Sequence, residues 1–216
     1  MTSEGLRHLC EAAARGRFPD PDWKVDVVPS PPRVVAAVVG FTAHHVVATD
    51  LGAGEVEAHL DRADPAAPMN VTFLHWLGDR VQAHVGNVDV VLAAQGTGNG
   101  DDWLRPVTDP PDSEWVRRAR RQRAGVLFLS PPDGGAVVTL GAGLADRCEL
   151  SVEIDGESDR GAGLGARLLR AALGHVDAEQ AVFAAVAPGN TRSLRCFLAA
   201  GFAPIGAECV LVRVVA

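Results

Sequence analysis

The run Arg160-Gly161-Ala162-Gly163-Leu164-Gly165-Ala166 follows one apolar stretch, Leu150 to Ile154, and opens another, Leu164 to Val176. Glycines let a backbone come close to a ligand. The first N–H groups of a helix have no acceptor within it and point outward, and the helix dipole adds partial positive charge there. An anion such as pyrophosphate fits that place, with Arg160 and Arg167 as added charge. The bland reading of the same run is a glycine-rich turn. Just upstream, Glu149 and Glu153 alternate with Leu150, Val152 and Ile154, so on a strand they share one face. That face either lines a cleft or lies against solvent. A second run, Asn190-Thr191-Arg192-Ser193, leads into an amphipathic stretch ending at Gly201-Phe202. Asn190 also reads as an ordinary helix N-cap.

Cys148 to Ile154 reads as a strand, about Gly163 to Val176 as a helix, and Ala181 to Ala187 as a strand. Thr191 to Ala200 then reads as a helix and about Ala207 to Val215 as a final strand. Gly201 stands where a helix end takes a left-handed residue. Asp112 or Ser113 caps a helix to about Gln122, and Val126–Leu129 and Ala136–Leu140 are strands joined by the turn at 131–135. The second half is therefore β-β-β-α-β-α-β. In the first half, 5–15, 54–62 and 71–85 read as helices. Residues 33–47 read as one strand with a break near Gly40, and 88–94 as another; 18–32 is a Pro-rich connection. The Gly-, Asp- and Pro-rich stretch 96–111 is the boundary between an N-terminal lobe, 1–110, and a C-terminal domain, 111–216.

With 216 residues, 47% hydrophobic and 22% charged, the chain can bury a substantial core. A net charge of −7 argues against nucleic-acid binding. No apolar run reaches the ~20 residues of a membrane span, and Met1-Thr2-Ser3-Glu4 opens no signal peptide. Four scattered cysteines fit a reduced cytoplasm. Arginine with a single lysine, Lys24, and abundant Ala, Gly, Val and Pro suggest a GC-rich bacterial genome.

Arg160-x-x-Gly163-x-Gly165 after a strand resembles the acetyl-CoA signature of the GNAT N-acetyltransferase superfamily, R/Q-x-x-G-x-G/A. Asn190-Thr-Arg-Ser193-Leu-Arg-Cys-Phe197-Leu-Ala-Ala-Gly201-Phe202 is similar to that superfamily's second motif helix. The resemblance covers roughly 126–213. It implies a mixed α/β fold with a splayed sheet flanked by helices, the N-terminal lobe being a candidate degenerate copy. It implies acetyl-CoA as co-substrate and an amine, small molecule or peptide, as acceptor, attacked directly in a ternary complex. Residues 161–166 (Gly161, Ala162, Gly163, Leu164, Gly165, Ala166) with Arg160 would hold the pyrophosphate, and the strand ending at Ile154 the pantetheine arm. Asn190, Ser193 and Phe197 would line the cofactor. Glu149 or Glu153 would be the base. The family's usual tyrosine is replaced by Phe197, which has no proton for a leaving thiolate, and the chain has no tyrosine at all. A non-catalytic acyl-CoA-binding or regulatory module is therefore the alternative. A homodimer stays open.

A dinucleotide fold is disfavoured, because the glycines run GxGxG and not GxGxxG. The arginines at 117, 118, 120, 121 and 123 either recruit an acidic group or form a solvated helix face. His44 and His45, adjacent on a strand, point to opposite faces, and no metal site is expected. Trp103 either lines an acceptor pocket or packs down, and 96–100 reads as flexible loop.

Overall fold

The computed structural model describes residues 2–100, 102–155 and 163–213. In chain order they form α1 (Ser3–Ala13), β1 (Val25–Val28), β2 (Ala36–Phe41), β3 (His44–Ala48), α2 (Ala53–Glu57), α3 (Val71–Val81), β4 (Ala83–Gln95), β5 (Arg105–Pro106), α4 (Glu114–Gln122), β6 (Ala124–Ser130), β7 (Ala136–Ala142), β8 (Cys148–Ile154), α5 (Leu164–Leu173), β9 (Ala181–Val186), α6 (Thr191–Ala199) and β10 (Ala203–Arg213). The architecture is mixed α/β. The chain divides into two compact units, Met1–Val91 with Ile205–Ala216, and Leu92–Pro204. That division falls within β4 and sends the last strand to the first unit, whereas 110/111 is the boundary the loop composition suggests. The physical reason is pairing: β10 lies antiparallel to β2, with Cys209 opposite Val38.

In the first unit the strands run β1-β3-β2-β10-β4. β1 is parallel to β3, and β2 and β3 form an antiparallel hairpin. The single strand expected over 33–47 is thus two. The chain reverses at Thr42-Ala43, past Gly40, with Ala43 in the left-handed region (φ 50°). Both strands are buried throughout, so no polar break marks the turn. β1 lies in the stretch read as a connection. α3 stops at Val81, because Gln82 turns left-handed, and 83–87 belong to β4 and not to the helix. α2 is shorter than the 54–62 expected. α3 packs Phe73 and Leu77 against Val38, Val47 and Leu211.

In the second unit β9, β8, β7, β6 and β5 are neighbours in that order. β6, β7 and β8 are successive antiparallel strands, and β8 pairs β7 without a break from Cys148 to Ile154. The first unit does not repeat this connectivity, since β1 joins its hairpin in parallel on the β3 side. α4 begins at the N-cap Ser113 and packs Val116 and Ala119 on Phe128 and Val137. α5 buries Leu168, Leu169 and Ala172 completely. α6 ends in a Schellman turn: the Phe202 N–H donates to Phe197 O at 3.1 Å and the Gly201 N–H to Leu198 O at 3.1 Å, with Gly201 at φ 95°.

The loop 96–100 is pinned and not flexible. The N–H groups of Thr97, Gly98 and Gly100 donate to the carbonyls of Leu173, Val176 and Gly174 at 2.9–3.1 Å. They donate to carbonyls at and just past the end of α5, of which Leu173 O also accepts from the Val176 N–H at 3.3 Å. A Cβ at Gly96 would sit 2.4 Å from Asp177 O, so the close approach requires glycine there.

Candidate functional site

Among the described residues, β8 and β9 pair in parallel only at Cys148 with Val182 and Glu149 with Phe183. β8 runs on to Ile154 and β9 to Val186. Across this seam no β8–β9 pair involves 151–153 or 185–186 among the described residues, so an extended amide-bearing chain has groups to bond there. Arg160, Gly161 and Ala162 lie outside the described residues. Gly163 is the N-cap of α5 at φ 79°, with open space where a Cβ would stand. Among the described residues no side chain caps this end. The outward N–H groups are those of Leu164, Gly165 and Ala166, the first helical bond being Arg167 N–H to Gly163 O.

Gly165 serves packing. A Cβ there would lie 3.0 Å from Cys196 Sγ and 3.7 Å from Ile154 Cδ1, so the glycine lets α5, α6 and the end of β8 converge. Asn190 caps α6, accepting from the Ser193 N–H at 3.1 Å. Ser193 is half-buried in the same first turn. Phe197 is 4% exposed and meets Phe202 edge-on at 5.0 Å. It closes the hydrophobic side of the Schellman turn.

Glu149, Ser151 and Glu153 share a face, as alternation requires, but the carboxylates have different surroundings. Glu149 Oε1 accepts from Arg147 Nε and from the Leu144 N–H, both at 3.0 Å, and Oε2 accepts from Arg123 Nε at 3.2 Å. Arg123 also donates to Thr139 and Ser151. Burial pushes the Glu149 carboxyl up, but Arg147, Arg123 and the Leu144 N–H together outweigh it and hold it below the usual carboxylate range. Glu153 accepts one hydrogen bond, from Ser113 Oγ at 2.5 Å. Ser113 Oγ also accepts from the Val116 N–H, so one hydroxyl caps α4 and holds Glu153.

The partners Arg123, Arg147 and Ser113 were not assigned to these carboxylates by sequence spacing. They come from 26, 2 and 40 residues away, and no local pattern marks which side chains α4 lays across β8. The arginine run is largely internal to its own element. Arg117 and Arg121 pair with Glu114, Arg118 stacks on Trp115 and Arg120 on Phe128. Trp103 packs down, its ring 3.7 Å from the Arg167 guanidinium carbon. His44 and His45 are both buried, and no group of metal-binding side chains assembles among the described residues. A cavity of about 440 Å³ lies in the first unit, between α3 and the start of β4, and shares no residue with β8, α5 or α6.

No family model and no curated protein matches the chain. Solved structures with a similar fold include an acetyltransferase of the GNAT family from Colwellia psychrerythraea, at 10% identity and TM-score 0.37 over 66% of this chain and 63% of that one. GCN5-related N-acetyltransferases from Sphaerobacter thermophilus (15%, TM-score 0.39, 65% and 55%) and Kribbella flavida (15%, TM-score 0.36, 66% and 64%) are others. Each match spans less than two thirds of the other chain. Likeness at this level assigns no activity to the present protein.

Proposed function

We propose that the protein binds acetyl-CoA and transfers the acetyl group to an amine. One observation carries this: α5 opens at a left-handed glycine with its first amides uncapped, next in sequence to a strand whose pairing with β9 stops after two residues. A pyrophosphate suits the N–H groups of 164–166, and an extended pantetheine arm suits the seam-facing backbone of 151–153 and 185–186, beyond the last β8–β9 pair. The space at Gly163 admits a close ligand. The bound co-substrate supplies an activated acetyl thioester. The chain supplies position and a base.

Glu153 suits that role better than Glu149. Both oxygens of Glu149 are taken by arginines and a backbone N–H, which favours a permanent carboxylate. Glu153 Oε1 has no partner among the described residues, and Ser113 steadies Oε2. Phe197, buried against Phe202, holds the helix end and has no proton to give. That replacement favours a second reading, an acyl-CoA-binding module without transfer.

Calorimetric titration with acetyl-CoA, together with thiol release in the presence of an amine panel, tests both. Binding and thiol release are expected, with Glu153→Gln slowing release about a hundredfold. Binding without release for any amine selects the module. Absence of binding overturns both readings.

A further inference from the structure

We propose that the cleft between α3 and the start of β4 is a second ligand site, one that takes an amine carrying an apolar body; it goes beyond the acetyl-CoA reading and does not depend on it. The cleft holds about 440 Å³, within the roughly 300–1,000 Å³ of small-molecule sites. One face of α3 builds its wall. Val71, Leu74, His75, Gly78 and Asp79 all line it, and their spacing of three and four sets them in two adjacent rows. The inner row, Leu74 and Gly78, is buried, and the outer row, Val71, His75 and Asp79, is exposed. A Cβ at Gly78 would lie 2.7 Å from Val85 Cγ2, so the glycine brings α3 onto β4. Met69, Val85 and Val88 add apolar surface, packed on the core of the first unit.

Two observations define the ligand. Val71 is 68% exposed at the rim, so apolar surface continues out of the cleft to where the body of a ligand would cover it. Asp79 stands in the last turn of α3, where the helix dipole disfavours a carboxylate. The adjacent cation does not answer it, because Arg80 pairs with Glu55. Only the Asp79 carbonyl is engaged, by Gln82. Among the described residues the side chains of His75, Asp79 and His84 make no hydrogen bond or ion pair, and they form no metal-binding group with one another. An ammonium supplies what is missing. It counters the Asp79 charge at a helix end that favours cations, and its N–H groups suit a carboxylate oxygen and the acceptor nitrogen of a neutral imidazole. An anion would meet Asp79 and the carbonyl end of α3.

The test is NMR titration of the full chain, without CoA, with 2-phenylethylamine, 2-phenylethanol and phenylacetate, for wild type, Asp79→Asn and His75→Lys. The amine is expected to move the amide signals of 69–88 and to bind about tenfold more tightly than the alcohol, while phenylacetate moves none of them. Asp79→Asn should bring the amine down to the alcohol and leave the alcohol unchanged. His75→Lys tethers an ammonium one turn from Asp79, so it should weaken the amine about as much while the alcohol still binds. Both positions are exposed, and urea unfolding should show both variants folded. Amine and alcohol bound equally, or an amine affinity untouched by Asp79→Asn, would overturn the assignment. So would silence of 69–88 at about 10 mM amine, or shifts centred on β8, which would place the amine at the site already described. None of these outcomes bears on acetyl-CoA binding, because the titration contains no CoA.

Discussion

Glu149 and Glu153 are the same residue type on the same face of one strand, about 13 Å apart at strand spacing. One end of β8 is a closed electrostatic knot. Glu149, 15% exposed, faces Arg147, 1% exposed, and Arg123, 13% exposed, with Thr139 and Ser151 hydroxyls completing the set. The other end is a single hydroxyl-to-carboxylate bond at the start of α4. Together the two ends pin α4 along β8, through Arg123 just beyond its C-terminus and Ser113 at its N-cap. A carboxylate that must exchange a proton during a reaction needs a free oxygen and few fixed charges, and one that must hold a fold needs the opposite. The two glutamates divide those requirements.

The difference is tested most forcefully at the closed end. Glu149→Ala removes the carboxylate that Arg147 and Arg123 share in a low-exposure site and should destabilise the fold by about 3–5 kcal/mol in urea unfolding. A loss under about 1 kcal/mol would show that the knot is not closed. The same group predicts a pH dependence. Its folded carboxyl is held below the ordinary range, chiefly by Arg147 and Arg123 acting against burial, so as pH falls the unfolded chain takes up the proton first. The stability it contributes is whole at neutral pH and is lost as pH drops through the folded value. Between about pH 6 and about pH 3, wild type should therefore lose more stability than Glu149→Gln, which has no proton to take up there.

Much of the frame around these residues is written locally. The cap at Ser113, Gly163 at the start of α5, the Asn190 cap and the left-handed Gly201 each depend on neighbours within a few residues, and each appears at its expected place. The failures share one cause. The turn at Thr42-Ala43 and the helix stop at Gln82 use left-handed conformations without glycine, so nothing in composition announces them. β1 is four residues long and is held by β3, not by its own pattern. The run 96–100 looks mobile because glycine is permissive, yet a Cβ at Gly96 or Gly98 would meet the backbone of 176–178, and Gly98 and Gly100 both stand at φ 63°. Whether a strand carboxylate meets solvent, a hydroxyl or two arginines depends on which helix crosses its face, and that is a long-range property.

Ser113→Ala should have a middling effect. It removes the acceptor for the Val116 N–H and the donor to Glu153 together, and N-cap loss of this kind costs about 1 kcal/mol. Ser113→Asp separates the two roles. Aspartate caps as well as serine but offers Glu153 an ionised carboxylate in place of a hydroxyl donor. Urea unfolding should show Ser113→Asp recovering part of the cap contribution while Glu153 loses its partner. Equal stability of the two variants would mean that the bond to Glu153, not the cap, is what Ser113 contributes.

The smallest expected change is the one on which the contrast between the two ends depends most. Glu153→Gln keeps an oxygen that can accept from Ser113 and removes only a charge that no arginine answers among the described residues. Substitutions outside a buried network shift stability by less than about 0.5 kcal/mol. Unfolding of Glu153→Gln in urea should therefore nearly superimpose on wild type, under the same conditions in which Glu149→Ala is strongly destabilised. A loss at Glu153 comparable with that at Glu149 would make both carboxylates structural. Removing the base from β8 in this way would move the balance toward binding without transfer, because Phe197 already leaves the second helix without a proton donor.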